Sequence, residues 1–327
     1  MALSTKILFI IPLQIITILA YFPIAKKLKL YDVPNKRSSH SKITFRGGGI
    51  IIPISLIFYS IFFGFQNFYL ILGVLIASAV SFYDDIKEAN VFLRLICHFA
   101  SVGLILMDIT GEIQFLPLAI ILIAIMSVAA VNAYNFMDGI NGITGLYTLS
   151  IFETVFFYNS KIENVFDVNL LMILSIAVLI FGFYNFRTKA LLFIGDVGSV
   201  SLGLLAVFYV LFLIVHNDEI IYLSMLAVYG IESGLTIFYR LLKGQNIFQP
   251  HRMHLFQDLV NIAKLPHLLV SFIYTIIQVL INFGMFLCIK QGFTGYLYLT
   301  YVLILLICSY IILKYQIHKR LVKPNYE

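Results

Sequence analysis

Long apolar runs alternate with short polar segments along the whole of this chain. A helix needs about 20 apolar residues to cross the hydrocarbon of a bilayer, and eleven runs reach or approach that length. They lie at residues 5–25, 47–64, 68–83, 92–108, 116–134, 139–158, 168–185, 198–215, 220–240, 266–289 and 296–315. Backbone polar groups must be satisfied internally within a membrane. The pattern therefore predicts an all-α, polytopic helical bundle with about 11 transmembrane helices, forming a single membrane-embedded domain over residues 1–327.

Basic residues are divided unequally between the two sides of this bundle. The loops on one side hold only Lys6, Lys161 and Lys290, and the other side holds the rest of the 22 lysines and arginines. Because cytoplasmic loops retain basic residues, the N-terminus is predicted outside and the C-terminus in the cytoplasm. We expect a multi-pass protein of the inner (plasma) membrane with its chemistry on the cytoplasmic face.

The composition agrees with a membrane protein, because 61% of the residues are hydrophobic and only 12% are charged. An ordinary soluble domain carries about a quarter charged residues. The net charge of +6 is interpreted mainly as topology, although a basic face also attracts anionic lipids and phosphorylated substrates. Nucleic acid is not expected as a partner. Cys97, Cys288 and Cys308 lie in apolar runs without metal-type spacing, so we interpret them as small buried hydrophobic side chains.

Four polar clusters interrupt the apolar pattern at helix ends on the predicted cytoplasmic side. They are Asn132–Gly145 (NAYNFMDGINGITG), Tyr83-Asp84-Asp85 with Lys87 and Glu88, Gly195–Ser199 (GDVGS), and Pro250–His254 (PHRMH). Amides and carboxylates are costly at this depth, so function is the default explanation. If all four clusters face the same aqueous side, they can build one site.

The acidic residues of these clusters predict a metal-dependent phosphate site. Adjacent Asp84 and Asp85 would repel each other unless a cation, a proton or a phosphate-bound metal lies between them, although a solvated helix end is the alternative. Asp138 and Asp196 bring the carboxylates on this face to four, and hard oxygen ligands suit Mg²⁺. The Gly195–Ser199 turn opens an apolar helix, where backbone amides can hold an anion; a plain helix cap is the other interpretation.

Two further segments offer backbone amides or cationic side chains to a phosphate. They are Arg46 with Gly47, Gly48 and Gly49, and the loop residues His251, Arg252 and His254. The glycine run is either a flexible start of a span or a surface that a nucleotide can approach closely. The loop residues are either phosphate ligands or topology determinants at the lipid surface, and a short interfacial helix is predicted after them. His98 and Glu232 lie inside apolar runs and are interpreted as packed, internally hydrogen-bonded groups.

The order of these motifs resembles that of a known enzyme family. The blocks are DVPNKRSSH with a following RGGG (Asp32 to Gly49), FYDD (Phe82 to Asp85), NAYNFMDGINGITG (Asn132 to Gly145), FIGDVGSVSLG (Phe193 to Gly203) and HRMH (His251 to His254). Together they resemble the polyprenyl-phosphate N-acetylhexosamine-1-phosphate transferases of glycosyltransferase family 4. Eleven spans with an inside C-terminus resemble the undecaprenyl-phosphate N-acetylglucosamine-1-phosphate transferase and its O-antigen- or capsule-initiating relatives more than the ten-span peptidoglycan branch.

The resemblance implies a reaction and its partners. A UDP-N-acetylhexosamine would give its sugar 1-phosphate to undecaprenyl phosphate, with a lipid-linked diphosphosugar and UMP as products. Mg²⁺ would be required, and Mn²⁺ could replace it. The reaction would initiate a cell-surface polysaccharide such as an O-antigen or a capsule, and the donor hexosamine stays open.

The same resemblance implies roles for individual residues. Asp84 and Asp85 would be catalytic, one of them acting on the lipid phosphate, and Asp196 with Asp138 would hold the metal. Substrate contacts would come from Asn132, Asn135, Asp138, Asn141, Phe193, Arg252, His254, Arg46, Gly47 and Gly48, with Phe193 stacking on uracil.

Three departures from the family pattern limit this transfer of roles. Leu255-Phe256-Gln257 replaces the further histidines of many members, and Asn141 replaces the aspartate of the peptidoglycan branch. An amide can still accept from uracil N3–H and donate to O4. The segment from Asn185 to Asp196 is one residue longer than in that branch, so no uracil contact is assigned to Asn185.

A polytopic transporter or lipid flippase of the same pathway is the alternative function. Such proteins usually place their sites near the bilayer midplane and show paired halves. Here the polar clusters lie at one face and no repeat is visible. An inactive scaffold would be expected to lose acidic residues, yet all four are present. The oligomeric state stays open, with a homodimer among the options.

Overall fold

The computed structural model describes residues 5–33, 43–87, 89–110, 116–246 and 252–321. These residues form a helical bundle with one short pair of antiparallel strands, β1 (Tyr31–Asp32) and β2 (Thr44–Phe45). The helices are α1 (Thr5–Lys27), α2 (Ile51–Phe63), α3 (Phe68–Ile86), α4 (Val91–Thr110), α5 (Pro117–Met137), α6 (Ile143–Lys161), α7 (Val168–Asn185), α8 (Gly195–Asn217), α9 (Ala227–Leu242), α10 (Leu255–Asn261), α11 (His267–Gln291) and α12 (Gly295–Leu321). Residues 34–42, which include most of the first motif block, and Glu88, Pro250 and His251, all named above, lie outside the described residues.

A helix occupies every predicted apolar run, and the short helix expected after His254 is present as α10. Within the described parts of the chain, nine helical segments are long and apolar enough to cross a membrane. The all-α, polytopic class is therefore confirmed. The nine do not include α2, which has only 13 residues, or α6, which carries Glu153 and many hydroxyl groups. The count of eleven spans and the orientation of the termini stay predictions.

Helix α8 forms the centre of the bundle, because 83% of its most apolar stretch is buried against α3, α4 and α5. A small residue permits one of these close contacts. A Cβ atom on Gly203 of α8 would lie 3.0 Å from the Cβ of Tyr134 on α5. Small residues commonly let transmembrane helices approach in this way. The last helix, α12, is the opposite case, with 11% of its most apolar stretch buried.

The ninth apolar run begins as a 3₁₀ segment, Ile220–Leu226, which continues directly into α9. Side chains from other helices pair with the backbone where the two meet. Gln278 donates to the carbonyl of Ser224 at 2.9 Å and accepts from the N–H of Val228 at 3.3 Å. Tyr147 donates to the carbonyl of Met225 at 3.3 Å. Side chains of other helices therefore pair the Ser224 and Met225 carbonyls where the 3₁₀ segment meets α9.

The cysteines differ from their sequence-based interpretation. Cys97 and Cys288 are half-buried and Cys308 is exposed, and all three are free thiols. The interpretation as buried side chains is wrong for Cys308, because it lies on α12, most of whose surface faces outward.

Candidate active site

The C-terminal ends of α3 and α5 meet the N-terminal ends of α4 and α8. Arg94, in the first turn of α4, donates to Asp84 at 2.7 Å, and its second terminal nitrogen lies 3.5 Å from Asp196. Asn135, near the end of α5, donates to the same Asp196 oxygen at 3.2 Å. We call the carboxylates of Asp84, Asp85, Asp138 and Asp196 the acidic site. The structure thus joins residues from three of the four polar clusters.

Asp85 is buried at the N-terminus of α8. Its carboxylate accepts from the backbone N–H groups of Asp196 at 3.3 Å and Val197 at 3.2 Å, as an anion at a helix start is expected to do. Arg46 donates to the Asp85 carbonyl, and its Nε lies 3.7 Å from the carboxylate. These two amides of the GDVGS turn therefore hold Asp85, and they do not offer their N–H groups to a substrate phosphate.

The glycine run packs against the start of α8. A Cβ atom on Gly49 would lie 2.2 Å from the Cα of Gly198, so only two glycines allow this backbone contact. Gly48 donates its N–H to the carbonyl of Phe193 at 2.9 Å, and Phe193 donates to the carbonyl of Phe45 on β2 at 2.7 Å. Close packing within the protein is thus a third explanation of the run, beside a flexible segment and a nucleotide-binding surface.

One more glycine contact ties this region to Asp85. Gly195 has φ +72° and leaves room for Gly47 and for the Asp85 carboxylate, each of which would lie 2.7 Å from an added Cβ. The predicted substrate contacts of Gly47, Gly48 and Phe193 stay predictions. What the structure places here is a set of backbone contacts that fixes the start of α8.

Asp138 ends α5 and lies beside the other carboxylates. Thr144 donates to it at 2.8 Å. The pKa of the Asp138 carboxyl is raised to about 7, mainly by burial; the Thr144 hydrogen bond lowers this pKa, and the charges of Asp196 and Asp85 raise it. A cation bound at this point would favour the ionised form.

The asparagines of the long motif have different surroundings. Asn132 donates to the Val128 carbonyl of its own helix at 2.8 Å. Asn141 donates to the carbonyl of Arg187 at 2.7 Å, so the donor half of the predicted uracil pairing is engaged within the protein. Asn185 is buried, accepts from the N–H of Gly142 at 2.7 Å and donates to the Leu192 carbonyl at 2.9 Å. Asn141 and Asn185 thus hold the turn after Asp138 in place.

The segment from Arg252 to Gln257 lies against the turn that follows Asp138. A Cβ atom on Gly139 would lie 2.8 Å from the ring of Phe256. Within the segment, Gln257 accepts from the N–H of His254 at 3.3 Å and so caps α10. The buried His254 ring stacks on Phe256 with centroids 5.4 Å apart, and Arg252 lies 3.5 Å from Asn261. Phe256 and Gly139 therefore form a contact between this segment and the edge of the acidic site.

Arg94 is the site residue that the sequence motifs did not single out. Its guanidinium bridges Asp84 and Asp196, and its side chain is 25% exposed. A signal for it was present, because an arginine within the apolar run Val91–Thr110 is costly unless it has partners. The same criterion that selected the acidic clusters would have found it.

Glu232 and His98 are both interpreted from the sequence as internally hydrogen-bonded, and the structure supports this for only one of them. Glu232 is buried, accepts from the N–H of Phe256 at 3.1 Å and from the Tyr274 hydroxyl, and so fits the interpretation. His98 is buried, but neither ring nitrogen has a hydrogen-bond partner among the described residues. The hydrogen-bonded part of the interpretation is therefore wrong for His98.

The donor set of the acidic site suits a magnesium ion shared with a substrate. In the part of the chain that the structure describes, no three His, Cys, Asp or Glu side chains converge as a metal-holding group. Mg²⁺ does not need such a cage, since it usually binds through one or two carboxylates, waters and substrate phosphates. Asp196 and Asp138 are close enough for the charge of one to raise the pKa of the other. A divalent cation would relieve that repulsion.

The helices and the site define an all-α, multi-pass membrane protein with an acidic site at converging helix ends. Residues 67–216, which run from α3 almost to the end of α8, match the model of glycosyl transferase family 4. The match contains all four carboxylates and Arg94, whereas Arg46 and Arg252 lie outside it. It supports a polyprenyl-phosphate sugar-phosphate transferase that uses a polyprenyl phosphate lipid as acceptor. No curated protein matches the chain.

Proposed function

We propose that this protein transfers an N-acetylhexosamine 1-phosphate from a UDP-sugar to undecaprenyl phosphate and releases UMP. The reaction would take place at the cytoplasmic face of the plasma membrane and would initiate a cell-surface polysaccharide. The observation that carries the proposal is the bridge that Arg94 makes between Asp84 and Asp196. It supports a site that orders several anionic groups around the Arg94 guanidinium, inside the segment that matches the model of glycosyl transferase family 4.

The proposed reaction makes and breaks one phosphorus–oxygen bond. A phosphate oxygen of the lipid attacks the β-phosphorus of the UDP-sugar, the bond from that phosphorus to the bridging oxygen breaks, and UMP leaves with the electron pair. Both reactants are anions, so catalysis consists mainly of positioning them and neutralising their charge. Mg²⁺, held by Asp196 and Asp138, would supply charge neutralisation for the diphosphate.

The side chains present can divide the remaining tasks. Arg94 has five N–H donors in a planar fork, and two of its nitrogens contact Asp84 and Asp196. The guanidinium can turn its other donors toward a phosphate that enters between the carboxylates. Asp84 is the less buried member of the acidic pair, which favours it as the group that acts on the lipid phosphate. Asp85 caps α8 and holds Asp196 in place.

UMP release tests the proposal directly. Membranes that contain the protein would be supplied with undecaprenyl phosphate and, one at a time, with a panel of UDP-N-acetylhexosamines. We expect UMP and a lipid-linked product from at least one donor, and none without added lipid or in membranes that lack the protein. If no donor releases UMP while a supplied lipid-linked sugar moves across the bilayer, the protein is a flippase and the transferase proposal is wrong.

A further inference from the structure

A partly buried ion pair ties α12 to the segment that precedes and begins α10. Asp258 is buried, and one of its carboxylate oxygens lies 3.4 Å from Nζ of Lys314 and 3.1 Å from Nε2 of His318. Lys314 also donates to the backbone carbonyl of Met253 and to the Tyr310 hydroxyl, the latter at 3.2 Å. We call Asp258, Lys314 and His318 the α12 clamp. It holds both ends of the Met253–Asp258 segment.

The opposite side of this segment faces the acidic site. Phe256 contacts Gly139, the residue after Asp138, and its backbone N–H donates to Glu232 at 3.1 Å. The segment is therefore held between α12 on one side and the end of α5 with α9 on the other. Asp258 of the clamp is two residues from Phe256. A change at the clamp can therefore displace Phe256 and, through its contact with Gly139, the turn after Asp138.

Topology accounts for a basic residue at this end of α12, since Lys314 belongs to the basic side of the protein. It does not account for the contacts that Lys314 makes with Met253 and Asp258. A partly buried ion pair gains little stability, because desolvation offsets much of the attraction, but it can fix one arrangement of a loop.

We propose that the α12 clamp positions the Arg252–Gln257 segment against the turn at Asp138 and thereby sets the affinity for the UDP-sugar. Asp258, Lys314 and His318 are positioning residues that act through this segment. The inference rests on the proposed function and on the family resemblance, which implies that Arg252 and His254 contact the sugar nucleotide.

Steady-state kinetics of the purified full-length protein in detergent tests this role. Lys314→Met and Asp258→Asn should each raise KM for the UDP-sugar by about fivefold or more, the lower end of typical coupling between linked sites. Two other quantities, kcat and the KM for undecaprenyl phosphate, should stay near their wild-type values. Lys319→Met is the matched control, because Lys319 is exposed on the same helix and lies over the ring of its neighbour Tyr315.

Charge exchange separates positioning from loss of the fold. The double variant Asp258→Lys/Lys314→Asp should recover most of the UDP-sugar affinity, and Lys314→Arg should lose little, since both retain an ion pair between α10 and α12. The proposal is overturned if the single variants leave KM for the UDP-sugar unchanged. It is also overturned if they lower every kinetic parameter equally and the exchange recovers nothing.

Limited trypsin digestion tests the clamp independently of enzymatic activity. Local opening of the segment exposes its backbone to proteolysis. Cleavage after Arg252, followed by mass spectrometry, should be faster in Lys314→Met than in wild type and Lys319→Met. Equal rates would overturn the clamp. A third outcome is that wild-type protein releases no UMP from any donor while Lys314→Met is cleaved faster. In that case the transferase proposal and the assigned effect on UDP-sugar affinity both fail. The clamp then stands only as a contact that holds the segment.

Discussion

Arg94 lies between carboxylates that would otherwise repel one another, so its charge and its shape should both matter. We expect Arg94→Gln to lose about 2 kcal/mol or more of transition-state stabilisation, the scale of charge-assisted hydrogen bonds. Arg94→Lys keeps the charge without the planar fork and should fall between Gln and wild type. The measurement is kcat/KM for UMP release. Equal activity of the Lys and Gln variants would show that charge is not what Arg94 contributes.

Asp196 accepts a hydrogen bond from Asn135, forms an ion pair with Arg94, and is the predicted metal ligand. Asp196→Asn removes a charged ligand with little change in volume, so turnover should be abolished while the protein still inserts into the membrane. Turnover would be measured over a range of Mg²⁺ concentrations, with protein amount checked by immunoblot. Retained activity with unchanged Mg²⁺ dependence would exclude Asp196 as a ligand.

Asp84 and Asp85 are adjacent, yet the structure gives them different tasks. Both Asp→Asn variants should reduce turnover by orders of magnitude. Asp85→Asn should also reduce stability, by roughly 1 kcal/mol, because an amide oxygen replaces a charged cap at the start of α8. The melting temperature of this variant in detergent should therefore fall below that of the wild type. An unchanged melting temperature would contradict the capping role.

At the scale of single residues, the sequence identifies polar residues of the candidate site but not the residues with which they pair. The acidic residues stand out because carboxylates are rare in apolar runs, and Arg94 could have been found in the same way. That Asp85 accepts from the Asp196 and Val197 amides of the GDVGS turn depends on where α3 ends relative to α8. That relation is fixed by packing between helices distant in sequence.

Among the elements, the contact between the glycine run and α8 should be the least tolerant of added volume. A methyl group on Gly49 would meet backbone atoms of Gly198, which cannot rotate away as a side chain can. We expect Gly49→Ala to cost about 1–3 kcal/mol, the usual cost of overpacking, and to lower turnover by displacing the start of α8. Gly103→Ala is the control, since nothing lies within 4 Å of its added Cβ. Thermal unfolding in detergent should separate the two variants.

Helix positions were predictable because membrane helices need long apolar runs, and every predicted run holds a helix. The 3₁₀ geometry of Ile220–Leu226 was not predictable in this way. The sequence of this segment is as apolar as its neighbours, and the groups that pair with its backbone come from Gln278 on α11 and Tyr147 on α6. Hydrophobicity reports the environment of a segment and does not report which backbone groups other helices can satisfy.

For the whole molecule, the apolar pattern predicted the class of fold, and the basic loops predicted an orientation that packing alone does not test. The structure refines where that orientation should be probed. Asn159 is buried and accepts from the backbone of Val165 and Phe166, so a cysteine there would disturb its loop. Ser160 and Gln291 are exposed and suit the predicted outer side, and Asn90 and Gln245 are exposed and suit the predicted cytoplasmic side.

Single cysteines at these four positions, in a protein whose native cysteines are replaced by serine, should reveal the orientation. In intact cells, a membrane-impermeant thiol reagent should label Ser160→Cys and Gln291→Cys but spare Asn90→Cys and Gln245→Cys, because the basic side stays in the cytoplasm. All four should react after lysis, which controls for accessibility. The reverse pattern would place the acidic site outside. Because UDP-sugars are supplied in the cytoplasm, that result would contradict the proposed transferase together with the predicted topology.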